Sequence, residues 1–245
     1  MSDSDGRSVR WDILKWLTIV SLTVGIVAAL WKFYNDNLKP DPPAVRVQYV
    51  MDVSSSMGGR IGKVEKLAAV KDEILSAVKG TPDIAYSLRV AGPNCSSSYT
   101  RPSVDFAEDN DDEFEKALAP LRAGGTSDFA RAVRYAVNDL VKQQEQEGTK
   151  SVSLYFLIGG QDGCTKRPGE VIDRSLRFLG QKETTDVTFK FVGVKAPDDL
   201  RKLLRRTRNR AKLLGFGATV RYANTANEIG ESVKPPEPEP TPASP

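Results

Sequence analysis

Three short stretches of this chain collect oxygen donors and little else. Met51-Asp52-Val53-Ser54-Ser55-Ser56 alternates a carboxylate with two hydroxyls, and Gly58 and Gly59 then let the chain turn. Ala123-Gly124-Gly125-Thr126 is glycine-rich and ends on a hydroxyl, and Gly159-Gly160-Gln161-Asp162-Gly163 supplies a second carboxylate. Asp52, Ser54, Ser56, Thr126 and Asp162 together offer hard oxygens and few carboxylates, a set that suits an octahedral Mg²⁺ or Mn²⁺ better than zinc. Taken singly, each stretch is ordinary. Asp52 or Ser54 can cap a turn, Gly-Gly-Thr can start a helix, and Asp-Gly is a common turn pair. Histidine is absent from the 245 residues, which removes Ser-His-Asp triads, Cys-His dyads and His-ligated zinc. With no general base and no carboxylate-rich two-metal set in view, an enzyme is not expected.

Whether these stretches meet depends on the elements that carry them. Val45–Met51 is β-rich, and Val64, Leu67, Ala68, Ile74, Leu75 and Val78 recur at helical spacing between Lys63 and Val78. Strands follow at Ile84–Val90 and Val104–Phe106, then helices at Asp111–Leu121 and Ser127–Val141. Ser151–Ile158 is an almost unbroken apolar strand, as expected where helices cover both faces of a sheet. Helix, strand, helix and strand continue at Glu170–Leu179, Val187–Val194, Leu200–Leu214 and Ala218–Tyr222, with a last short helix from about Asn224. This alternation predicts an α/β fold with a doubly wound, mostly parallel sheet flanked by helices. In such a sheet ligands bind beyond the carboxyl ends of the strands, where Asp52 and Asp162 both fall.

In register, the three stretches resemble the metal-ion-dependent adhesion site of a von Willebrand factor type A domain. The family's Asp-x-Ser-x-Ser stands as Asp52, Ser54 and Ser56, its Gly-Gly-Thr as Gly124, Gly125 and Thr126, and its Asp-Gly as Asp162 and Gly163. The resemblance covers about residues 44–233. It implies that Ser54, Ser56 and Thr126 hold the metal through hydroxyls, while Asp52 and Asp162 act through waters or as outer acceptors. The cation would keep an open position for a carboxylate from a protein partner. Two positions depart from the family: Gln161 stands where Thr is common, and Asp128 where an apolar residue is usual. The second leaves Thr126 and Ser127 as alternative ligands.

Cys95 and Cys164, the chain's only two cysteines, follow the second strand and the Asp162-Gly163 pair. The resemblance to a bacterial, membrane-anchored branch makes them a candidate disulfide; two free thiols are the alternative. The run Trp16–Trp31 carries no charge and is apolar on every face. With its aromatic flanks and Lys15 and Lys32, it predicts a transmembrane helix over residues 11–34, against the alternative of a cleaved signal peptide. Residues 1–10 form a short N-terminal tail, 35–43 a proline-containing stalk, and 234–245 a proline-rich disordered tail that is too polar to pack.

The net charge is only +3, from 35 basic and 32 acidic residues, so no general nucleic-acid binding is expected. Arg7, Arg10 and Lys15 against Lys32 and Lys39 favour a cytoplasmic N-terminus, with the body outside the cell membrane. Seven cations on the helix Leu200–Leu214 read as a solvated face, with anionic lipid or an acidic partner as the alternative. The expected function is a single-pass, membrane-anchored module that captures a protein partner's Asp or Glu. The alternative is an accessory subunit of a membrane or ATPase-associated complex, with the body inside the cell.

Overall fold

The computed structural model describes residues 24–32, 45–81, 84–95, 101–147, 151–182 and 186–236. The chain divides into two units, residues 1–41 and 42–245. In the first, residues 24–32 are helical (α1), and Val24, Ile26, Val27, Leu30 and Trp31 are exposed. Among the described residues, no helix is long and apolar enough to cross a membrane. Most of the span expected at residues 11–34, together with the N-terminal tail, the stalk and the end of the C-terminal tail, lies outside the described residues.

The second unit is built on a six-stranded sheet. In chain order its strands are β1 (Val45–Asp52), β4 (Ala85–Ala91), β5 (Val104–Ala107), β6 (Ser151–Ile158), β7 (Asp186–Val194) and β8 (Gly217–Ala223). The spatial order is β5-β4-β1-β6-β7-β8. All pairings are parallel except β4–β5, where the edge strand runs back. β1 is therefore central, with the chain winding outward from it in both directions. That reversal opens a crevice where the loops after β1 and β6 part, the place where such sheets receive ligands.

Helices cover both faces: α2 (Lys66–Lys79), α3 (Asp111–Leu118) and α7 (Ala226–Val233) on one, and α4 (Phe129–Glu147), α5 (Pro168–Gly180) and α6 (Asp198–Leu213) on the other. The period-two alternation of the strands sorts the aromatic residues between them. Tyr49, Tyr86, Tyr155 and Phe114 cluster on the first face, and Phe129, Phe156, Phe189 and Phe191 on the second. Buried Tyr49 donates its hydroxyl to the Val233 carbonyl at 2.8 Å, fastening α7 to the sheet.

One departure from the expected elements bears on the site. The helix predicted from Lys63 begins at Lys66, because β2 (Arg60–Ile61) and β3 (Val64–Glu65) form a small antiparallel hairpin ahead of it. Gly62 turns that hairpin with φ of 62°, a conformation glycine adopts without penalty. A buried ion pair, Arg89 to Asp139, also crosses from β4 to α4, with Arg89 Nε to Asp139 Oδ2 at 2.9 Å.

Candidate metal centre

The loop after β1 is organised by its own aspartate. Asp52 is 1% exposed; its Oδ1 accepts from the Ser54 amide at 2.9 Å, and its Oδ2 accepts from the Gly159 amide at 3.3 Å. Burial pushes the Asp52 carboxyl up, and these amides pull it partly back. The carboxylate therefore links the ends of β1 and β6. The 3-10 turn Ser55–Gly58 then brings Ser56 round beside Ser54, with their hydroxyl oxygens 2.8 Å apart.

The other loops close around this pair. A Cβ at Gly160 would collide with Ser56 Oγ and lie 3.8 Å from Ser54 Oγ, so the hydroxyl pair requires bare backbone opposite it. Gly125 has φ of 59°, and its backbone abuts Pro93. The Gly125 carbonyl accepts from the Ser55 amide at 3.1 Å, and the Thr126 amide donates to the Pro93 carbonyl at 2.7 Å. The Gly-Gly-Thr loop is thus clamped between the loops after β1 and β4.

Asp162 is held as firmly as Asp52. Its Oδ1 accepts from the amides of Cys164 at 3.0 Å and Thr165 at 2.8 Å, and its Oδ2 from the Ala130 amide at 2.7 Å. A lone parallel bridge joins Ser127 to Asp162, and the methyl of Thr126 fills the space that a side chain at Gly163 would need. Asp52, the last residue of β1, and the other four sequence-predicted residues, on the loops, therefore lie together at one edge of the sheet. Thr126 is exposed at the rim and Ser127 is buried. The Ser127 hydroxyl faces Asp52, close enough to lower its pKa but without a hydrogen-bond partner of ordinary geometry.

Cys95 and Cys164 are joined by a disulfide, with their Cα atoms 5.2 Å apart. It ties the loop after β4 to the one that carries Asp162. Arg131 of α4 adds to this junction, donating to the Cys95 carbonyl at 2.9 Å and pairing with Asp128 at 3.2 Å. Burial raises the Asp128 carboxyl; Arg131 draws it down and the charge of Asp162 pushes it up. Asp128 Oδ1 is buried without a partner. The unusual residue at this position is therefore part of the charged surroundings of Asp162.

Sequence reasoning missed Lys66. Its side chain, on the first turn of α2, reaches under the hydroxyl loop and donates to the Ser56 carbonyl at 3.1 Å. Burial and the nearby charge of Lys195 lower its pKa, and Asp52 opposes them. Only the hairpin shift of the helix start brings it there, and no local pattern signals that shift. Among the described residues no three Asp, Glu or Cys side chains converge as a metal cluster. The donor set fits a hard divalent ion: a close hydroxyl pair, a rim hydroxyl, an unpartnered buried hydroxyl, and two carboxylates already anchored by amides.

No family model matches the sequence, and no curated protein is similar to it in sequence. Solved structures are similar in fold. The pilus adhesin SpaC from Lactobacillus rhamnosus GG superposes with a TM-score of 0.58 at 13% identity, over 79% of this chain and 30% of that one. A von Willebrand factor type A protein from Catenulispora acidiphila gives 0.53 at 17% identity, over 76% of this chain and 40% of that one. The fold is von Willebrand factor type A-like. BatB from Bacteroides thetaiotaomicron, a conserved hypothetical protein, gives 0.51 at 13% identity, over 78% of this chain and all of that one. The chain thus spans under a third of the adhesin's length, and these identities speak for the fold alone.

Proposed function

We propose that this von Willebrand factor type A-like chain is a tethered binding module that captures a protein partner through Mg²⁺ or Mn²⁺ at the carboxyl edge of its sheet. The observation that carries this reading is the Ser54–Ser56 hydroxyl pair, 2.8 Å apart and faced by bare backbone at Gly160. Ser54, Ser56 and Thr126, or Ser127 in its place, would hold the ion. Asp52 and Asp162 spend their oxygens on backbone amides, so they set a negative field without saturating a cation. A bound divalent ion would supply an electrophilic centre with a position left for an acidic side chain. An adhesin among the proteins of similar fold fits a role in protein capture.

The same reading places the body outside the cell membrane and treats it as a binding protein, not an enzyme. The Cys95–Cys164 disulfide supports the first point, because such bonds persist in oxidising compartments. The apolar, exposed side chains of α1 support a membrane tether.

Titration calorimetry of the chain with Mg²⁺ and Mn²⁺ tests the site, with one binding event expected. Ser54→Ala combined with Ser56→Ala should remove it while circular dichroism stays unchanged. Equal binding by this double variant would overturn the metal reading. Capture of an acidic partner that persists in chelator would place the interaction surface elsewhere.

A further inference from the structure

At the opposite edge of the sheet, where the strands begin, α5 and α6 end. Phe178 of α5 is 40% exposed and Leu213 of α6 is 78% exposed, and with Val64 they are the described body's exposed large apolar side chains. The two helices are held in register by Arg210, which pairs with Asp173, and by Phe216, which packs 3.8 Å from the Cβ position of Gly180. Cations surround this end. Lys182 lies over the Phe178 ring at 5.5 Å, and the last turns carry Arg177, Arg210 and Lys212. Asp173 lies between Arg177 and Arg210, and Asp186 opens β7. The cationic surface therefore belongs to α5 and α6.

Both helices are acidic in their first turns, at Glu170 and at Asp198 and Asp199, and basic in their last. That polarity complements the helix dipole and would need no ligand. The dipole does not account for two large apolar side chains left in water among those cations. Apolar anchors ringed by Lys and Arg are how a protein surface rests in the headgroup layer of an anionic bilayer.

We propose that the edge formed by the ends of α5 and α6 is a second binding surface, which seats the body on an anionic phospholipid membrane through Phe178, Leu213 and the cations beside them. This inference does not rest on the metal site at the other edge.

The fragment 42–245 tests it, because both hydrophobic cores lie wholly within it and it lacks α1. Co-sedimentation is measured in chelator, with vesicles of phosphatidylcholine alone or mixed with phosphatidylglycerol. The fragment should partition about tenfold more strongly onto the mixed vesicles, and less as salt rises. Lys182→Glu with Lys212→Glu should abolish that preference. Phe178→Ser with Leu213→Ser should weaken binding about tenfold at unchanged circular dichroism. Equal partition onto both vesicle types would overturn the proposal. So would full binding by the serine double variant, which would mean plain charge attraction that an acidic protein or a nucleic acid could equally satisfy.

Discussion

The two edges of the sheet are built from opposite materials. At the carboxyl edge, loops present hydroxyls, and the aspartates are pinned by backbone amides; a disulfide and glycine-tight contacts fix the spacing. At the amino edge, helix ends present arginine, lysine and two uncovered apolar side chains, with no cross-link among the described residues. The first edge suits a small, hard ligand that demands fixed geometry. The second suits a broad, soft surface that tolerates side-chain motion. Parallel pairing makes this division possible, since it gathers the carboxyl ends of five of the six strands at one edge.

The largest effect should come from neither edge but from the layer between them. Removing Asp139 would take from Arg89, 1% exposed, the carboxylate that it pairs with. Asp139→Ala should cost about 3–5 kcal/mol in chemical denaturation. If it costs less than a substitution at either edge, the picture of dispensable edges on a firm middle fails.

Next comes the cross-link. Cys95→Ala with Cys164→Ala opens a loop spanning a separation of 69 residues and should lower stability by about 2–4 kcal/mol. It should also weaken Mg²⁺ binding, because the Asp162 loop loses its tie to the loop after β4. Stability measured with and without the ion separates the two effects.

Gly160→Ala sharpens the contrast further. The added methyl would meet both Oγ and Cβ of Ser56 at the carboxyl edge, so the shift in melting temperature on adding Mg²⁺ should vanish and the apo fold should lose about 1–3 kcal/mol. Phe178→Ser should be the mildest change for folding, about 1 kcal/mol, because that ring is only partly buried, at 40% exposed. A much larger loss would make Phe178 a core residue and remove the basis for a soft edge.

The alternation of strand and helix was legible because the strands are strongly apolar and the helices carry clear periodicity. The apolar run Ser151–Ile158 coincides with β6 at both ends. The edge holding Asp52 and Asp162 followed from that alternation alone. The β2–β3 hairpin was not legible, because two-residue strands have no period to detect, and with it went the position of Lys66. In the sequence, Ser127 and Asp128 pose a question of ligand register. Their burial without full hydrogen bonding depends on loops distant in sequence, which no local pattern encodes. Likewise the row of cations on α6 was visible, but not the pairing of Arg210 with Asp173 or the exposure of Leu213.

One strand joins the two edges directly. β1 starts where the chain arrives from α1 and ends on Asp52, at the foot of the hydroxyl loop. Its eight residues span about 26 Å. A load applied between a tether at one end and a captured partner at the other would run along this strand, through the middle of the sheet. Its hydrogen-bond ladders to β4 and β6 lie side by side across that direction, so they would be sheared together and could not be unzipped one at a time. Resistance to pulling is set by the barrier to unfolding and not by equilibrium stability. In mechanical terms β1 would then act as a tie-rod, central in the sheet and loaded along its length.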